Sequence, residues 1–101
     1  MTRRKPAARL PLGLESYRST PQFTEASTPS ALLVDHATKE GVWGIIRTVS
    51  GSLRYHVTDE RRVGTMFELE EGVDGIVEPT IRHRVELVGD VRFQVDFYRK
   101  R

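Results

Sequence analysis

Seven consecutive residues near the end of the chain, Val91-Arg92-Phe93-Gln94-Val95-Asp96-Phe97, carry apolar side chains at every odd position and polar ones between them. A period of two belongs to a β-strand with one buried face and one wet face; on a helix the same side chains would scatter around the cylinder. The pattern recurs in Leu53-Arg54-Tyr55-His56-Val57-Thr58 and in Arg82-His83-Arg84-Val85-Glu86-Leu87-Val88. Trp43-Gly44-Ile45-Ile46-Arg47-Thr48-Val49 is rich in β-branched residues, and Ser50-Gly51-Ser52 reads as a tight turn. Residues 43–58 are therefore predicted to form a β-hairpin. Gly89-Asp90 is predicted to turn the chain between two further strands. Ala31 to His36 also alternates, with Leu32, Val34 and His36 on one face. Thr65-Met66-Phe67-Glu68-Leu69 and Gly75-Ile76-Val77 add short strands, the second ended by Pro79. No stretch sustains a helical period. About seven short strands at 8–12-residue spacing predict an all-β fold, a sandwich or a small barrel.

The N-terminal third is written differently. Residues 1–9 read as a disordered basic leader, and Leu10-Pro11-Leu12-Gly13-Leu14 as the start of an extended arm. Thr20-Pro21 and Thr28-Pro29 push the residue before each proline toward extended geometry, so 17–30 is expected to wrap the domain with Phe23 as its apolar plug. Residues 10–98 form the expected single domain, and 99–101 a solvated basic tail.

Charge narrows the function classes. The net charge of +2 includes seven cations at the two ends (Arg3, Arg4, Lys5, Arg9, Arg99, Lys100 and Arg101), so residues 10–98 carry −5. An acidic domain with basic ends argues against a nucleic-acid-binding face. No apolar run approaches the roughly 18 residues of a membrane span, and no apolar segment follows the basic start as in a secretory signal. The chain has no cysteine, which removes disulfides and thiolate chemistry. A cytoplasmic location is expected.

Chemistry concentrates in two places. Asp35-His36-Ala37-Thr38-Lys39-Glu40-Gly41-Val42-Trp43-Gly44 sets an imidazole, a hydroxyl, an ammonium and the only tryptophan in ten residues. Far downstream, His83 follows Val77-Glu78-Pro79-Thr80-Ile81-Arg82. Both histidines fall on the apolar-patterned face of their strands, so the two imidazoles are expected near one mouth of the fold. Histidine ligates zinc, iron, copper and nickel, but a metal site takes three or four protein ligands. Glu78, Asp96, Asp35 and His56 are candidates for a third. Arg47 interrupts an apolar face, marking that face as exposed or itself as a paired charge. No Gly-x-Ser-x-Gly elbow and no phosphate-cradling glycine loop is present, so no complete catalytic constellation is found.

His36-Ala37-Thr38-Lys39-Glu40-Gly41-Val42-Trp43-Gly44, Val49-Ser50-Gly51-Ser52-Leu53, Val77-Glu78-Pro79, His83-Arg84-Val85-Glu86 and Phe97-Tyr98 resemble the TehB/YeaR-like domain. The resemblance runs from about Leu12 to Tyr98. It implies a cupin-like, jelly-roll type β-barrel with an extended N-terminal arm, a fold that stands alone in short proteins. In some tellurite-resistance proteins the domain precedes a methyltransferase, which these residues do not include. Against ordinary cupins, His36 fits the first metal position, Thr38 stands where a second histidine is usual, and Gly44 stands near the glutamate position. His83 is the remaining histidine, one residue closer to its proline than usual. The full three-histidine, one-glutamate site is thus not available.

The resulting expectation is a cupin-like domain that binds a small ligand or oxyanion in a stress or tellurite-linked role. One divalent metal ion (zinc, iron or nickel) would be held partly by His36 and His83, with Thr38, Lys39, Trp43 and Glu78 as ligand contacts. A homodimer paired through sheet edges is expected. The alternatives are a metal-dependent cupin-type enzyme and a pure protein-interaction domain.

Overall fold

The computed structural model describes residues 10–62 and 64–101; the basic leader lies outside the described residues. Six strands make one antiparallel sheet: β1 (Leu14–Ser19), β2 (Phe23–Thr24), β3 (Trp43–Val57), β4 (Thr65–Glu70), β5 (Gly75–Val77) and β6 (His83–Lys100). The strand order is β1-β6-β3-β4, with β2 also on β6 and β5 also on β3. The all-β expectation is met. The sheet does not close into a barrel, and its folded, two-layer arrangement is that of a small sandwich.

The framework is the long pairing of β3 with β6, which runs from Trp43 opposite Tyr98 to Val57 opposite His83. This corrects the expected hairpin over 43–58 and the expected turn at Gly89-Asp90. Each is one continuous strand, interrupted at the same level by a bulge. Val49 is extra between Thr48 and Ser50, and Gly89 and Asp90 are extra opposite the Gly51–Ser52 step. Gly51 and Gly89 take φ +74° and +65°. A β-carbon on Gly51 would lie 2.2 Å from the Asp90 carbonyl oxygen. The glycines thus mark a corner where two backbones touch and both strands bend, rather than two chain reversals.

The bend lays the two halves of the sheet on each other around one core. Leu53, Leu69 and Phe93 are fully buried, with Ile46, Tyr55, Val77, Val85 and Val91 packed about them. Gly75 is buried beside Leu69 Cδ1 and the Tyr55 ring, which leaves no room for a side chain. The alternation predicted in 91–97 holds: Val91, Phe93 and Val95 are buried, Phe97 packs against the core, and Arg92 is exposed.

Two further expectations are corrected. Ala31–His36 is not a strand: Ser30–Leu33 forms a 3-10 turn, and His36 alone makes a β-bridge. Pro29 sets the entry, its carbonyl accepting the Leu32 N–H, so Leu32 reaches the core while Val34 stays 60% exposed. At the other end, Arg99 and Lys100 are not a free tail but continue β6 opposite Glu15 and Leu14. The Arg99 guanidinium lies over the Tyr17 ring at 4.1 Å. The N-terminal wrap behaves as expected, with the Phe23 ring 5.7 Å from that of Phe93.

Candidate functional site

His83 opens β6, and His36 lies beside it through a two-way backbone bridge. The His36 N–H donates to the His83 carbonyl at 2.9 Å, and the His83 N–H donates to the His36 carbonyl at 2.8 Å. That pairing brings the imidazoles edge to face, with ring centroids 4.2 Å apart. Each ring points Nδ1 at a carbonyl two residues back, His36 at Val34 and His83 at Ile81, both at 2.9 Å. A carbonyl can only accept, so the proton of each neutral ring sits on Nδ1, and Nε2 is left with its lone pair. Burial pushes the His83 pKa down to about 4, against the Ile81 hydrogen bond and helped by the neighbouring His36. His83 is therefore a neutral acceptor at pH 7. The Tyr55 ring backs it at 5.6 Å and is itself anchored by its hydroxyl, which donates to the Ile76 carbonyl.

The loop before His83 is held by a bracket centred on Asp59, which no sequence motif singled out. Asp59 is buried to 3% exposure. Its carboxylate accepts from the Arg61 guanidinium, the Arg61 N–H and the Arg82 N–H, all near 3 Å. The Arg61 contact above all, with the two backbone donors, holds its pKa well below the usual carboxylate range. Arg61 also donates to the Thr80 carbonyl at 2.6 Å. Thr80 sits in the left-handed region at φ +66° and donates its N–H to the Thr38 carbonyl. One chain of contacts thus ties the His83 loop to the His36 loop. Asp59 two residues before Arg61 is an Asx-turn spacing, the signal that would have exposed it in the sequence.

The imidazoles open onto a cavity of about 470 Å³. Its walls are mostly apolar, built from Phe23, Phe93, Phe97, Ile46, Val77 and Val95 among others. Thr38 and Lys39 also line it, as the motif suggested. The Thr38 hydroxyl, however, donates to the Val42 carbonyl at 2.7 Å and closes its own loop. Trp43 and Glu78 do not line the cavity. Strand alternation from Ile46 turns Trp43 to the opposite face of β3, and the Glu78 carboxylate is held by Arg62 in a two-point pair at 3.1 and 2.6 Å. Arg18, which no sequence pattern singled out, lies at the rim with its guanidinium 5.6 Å from the Phe97 ring centroid.

The candidates for a third metal ligand are used elsewhere or left outside. Asp96 is on the far face of β6, bonded to Arg47 and Gln94. His56 Nε2 meets Glu86 at 2.8 Å. Asp35 is exposed beside His36. Among the described residues, no group of three histidine, cysteine, aspartate or glutamate side chains could hold a metal ion. The pair therefore does not fit a closed three- or four-ligand site. Arg47, read as exposed or paired, is a paired charge: it bridges Asp96 and Asp74 and donates to the Tyr98 hydroxyl at 3.2 Å.

Comparisons with known proteins agree with this fold. The TehB-like domain matches residues 18–95. Among solved structures, TehB from Haemophilus influenzae aligns with a TM-score of 0.79 and 28% identity. That alignment covers 88% of this chain and 32% of TehB, so the chain spans about a third of that protein's length. A protein from E. coli strain K12 aligns with a TM-score of 0.82 at 22% identity over 94% of this chain and 99% of its own, a likeness of fold. No functionally curated protein matches the chain. No helix among the described residues is long and apolar enough to cross a membrane. With the match extending over most of the sequence, including both histidines and the loops that hold them, the chain belongs to the TehB-like domain family.

Proposed function

We infer that the protein binds a small ligand in the cavity beneath His36 and His83, with the two Nε2 atoms as the recognising groups. One observation carries this reading: two imidazoles 4.2 Å apart, each with Nδ1 committed to a carbonyl, both line an apolar cavity. Histidines that serve packing alone have no need of a shared cavity for their second nitrogens. Lys39 at the rim makes no ion pair among the described residues and is free to meet an anion. A divalent metal such as zinc, iron or nickel would take the two Nε2 atoms as its protein ligands and complete its shell with water or the ligand. In this reading the cavity serves a cytoplasmic, stress or tellurite-linked role, for which the resemblance to the family is the support, and two copies pair through the open sheet edges.

The test is calorimetric titration of Zn²⁺ and of tellurite into the wild type, His36→Ala and His83→Ala. At least one probe is expected to bind the wild type, and either substitution should weaken it about tenfold or more. Binding that survives both substitutions puts the site elsewhere. If Zn²⁺, tellurite and the organic probes named below all fail to bind the folded wild type, the reading falls.

A further inference from the structure

The size, walls and charge of the cavity say more about its occupant than the histidines do. A water molecule takes about 30 Å³ of liquid, so roughly 15 would fill 470 Å³. An inorganic oxyanion of four or five atoms would leave most of that volume empty or wet. Most of the wall is phenylalanine and branched aliphatic side chains, which offer such an ion nothing in place of its hydration shell. A ligand that uses these walls has an apolar body of its own.

Charge supplies the second constraint. Residues 10–98 carry −5, yet among the described residues no carboxylate lines the cavity. Among the described residues its charged lining residues are Arg18 and Lys39, both exposed and neither with an acidic partner. Several other arginines of this fold are matched: Arg47 with Asp96 and Asp74, Arg61 with Asp59, Arg62 with Glu78, Arg54 with Glu86. Two unmatched cations at the rim of an apolar cavity are complementary to an anionic head group. The interior supplies the third constraint. His83 is 4% exposed, its Nδ1 is engaged, and Nε2 has no hydrogen-bond partner among the described residues. An acceptor in that position asks for a donor from the ligand.

We propose that this cavity takes an amphipathic organic anion: a carboxylate or like head group at Arg18 and Lys39, an apolar or aromatic body against the phenylalanines, and a hydroxyl or N–H that donates to the histidine pair. This deepens, and rests on, the ligand-binding reading above. It excludes a bare inorganic oxyanion as the preferred ligand.

Three probes of matched chemistry test it by calorimetry: 4-hydroxybenzoate, its neutral counterpart 4-hydroxybenzyl alcohol, and sulfate. Each is titrated into the wild type and into the Arg18→Gln/Lys39→Gln variant, both changes being at exposed positions that spare the core. The expected result is that 4-hydroxybenzoate binds about tenfold or more tighter than either other probe. The double variant should lose about tenfold for the acid and stay within about twofold for the alcohol. Equal binding of acid and alcohol overturns the anionic head group. Sulfate binding as well as the acid overturns the apolar body. If Zn²⁺ or tellurite binds through the histidines while no organic probe does, the ligand class is wrong and the site stands. If nothing binds, both readings fall together.

Discussion

The protonation of one side chain, His83, links the site to the stability of the domain. Its folded pKa of about 4 lies below its ordinary value of 6.5, chiefly because burial disfavours the charged ring. Between those values the unfolded chain binds more protons than the folded one, so stability rises with pH across that window. The contribution is complete above about pH 6.5 and is lost as pH falls toward 4. A shift of this size corresponds to on the order of 3 kcal/mol. Urea denaturation midpoints measured from pH 7.5 to 4.5 should fall more steeply for the wild type than for His83→Gln. Parallel curves would mean that His83 charges as readily in the folded chain as outside it. At the same scale, Asp59 was hidden to sequence reading because a carboxylate in a charged turn is ordinarily solvated. Its importance comes from partners at 61 and 82 that only the fold brings together.

At the scale of elements, the bulge is the feature that periodicity could not resolve. Ser50-Gly51-Ser52 and Gly89-Asp90 each carry the composition of a reversal, and composition alone does not separate a turn from a bend in a long strand. What decides is that Gly51 pairs with Val91 and lies against the Asp90 backbone across β3 and β6, a pairing between residues about forty positions apart. The strands themselves were legible, because the two-residue period survives on both sides of the bend. Ala31–His36 failed for the opposite reason: its alternation was real, but Pro29 favoured a 3-10 turn over strand pairing. Gly51→Ala is expected to cost ~3 kcal/mol or more, since the new β-carbon meets the Asp90 backbone in a left-handed conformation. Gly72→Ala shares the positive φ but faces open space, and should cost only ~1–2 kcal/mol. Chemical denaturation of both variants checks this, and equal losses would argue that backbone conformation, not the close approach, sets the requirement.

At the scale of the whole molecule, the folded sheet explains why residues 36 and 83 share one site. β6 pairs along the whole of β3, so its two ends contribute to different walls of the same cavity: His83 and Val85 from the start, Phe93, Val95 and Phe97 from the far side of the bend. The histidine pair was legible because both residues sit on apolar-patterned faces within a recognisable motif. Arg18 was not, because the strand around it has no apolar period, and its place at the rim depends on β1 pairing with the last residues of β6. Trp43 and Glu78 lie off the cavity for separate reasons: proximity in a motif does not fix the face of a strand, and the Glu78 carboxylate is held by Arg62. The imidazole ¹⁵N–¹H correlation spectrum at pH 7, recorded with and without 4-hydroxybenzoate, tests the central claim most directly. His83 should appear as a neutral ring protonated at Nδ1, and the Nε2 signals of His36 and His83 should move on addition of the probe while those of His56, held by Glu86, stay in place. A charged or Nε2-protonated His83, or probe-induced shifts confined to His56, would contradict the account.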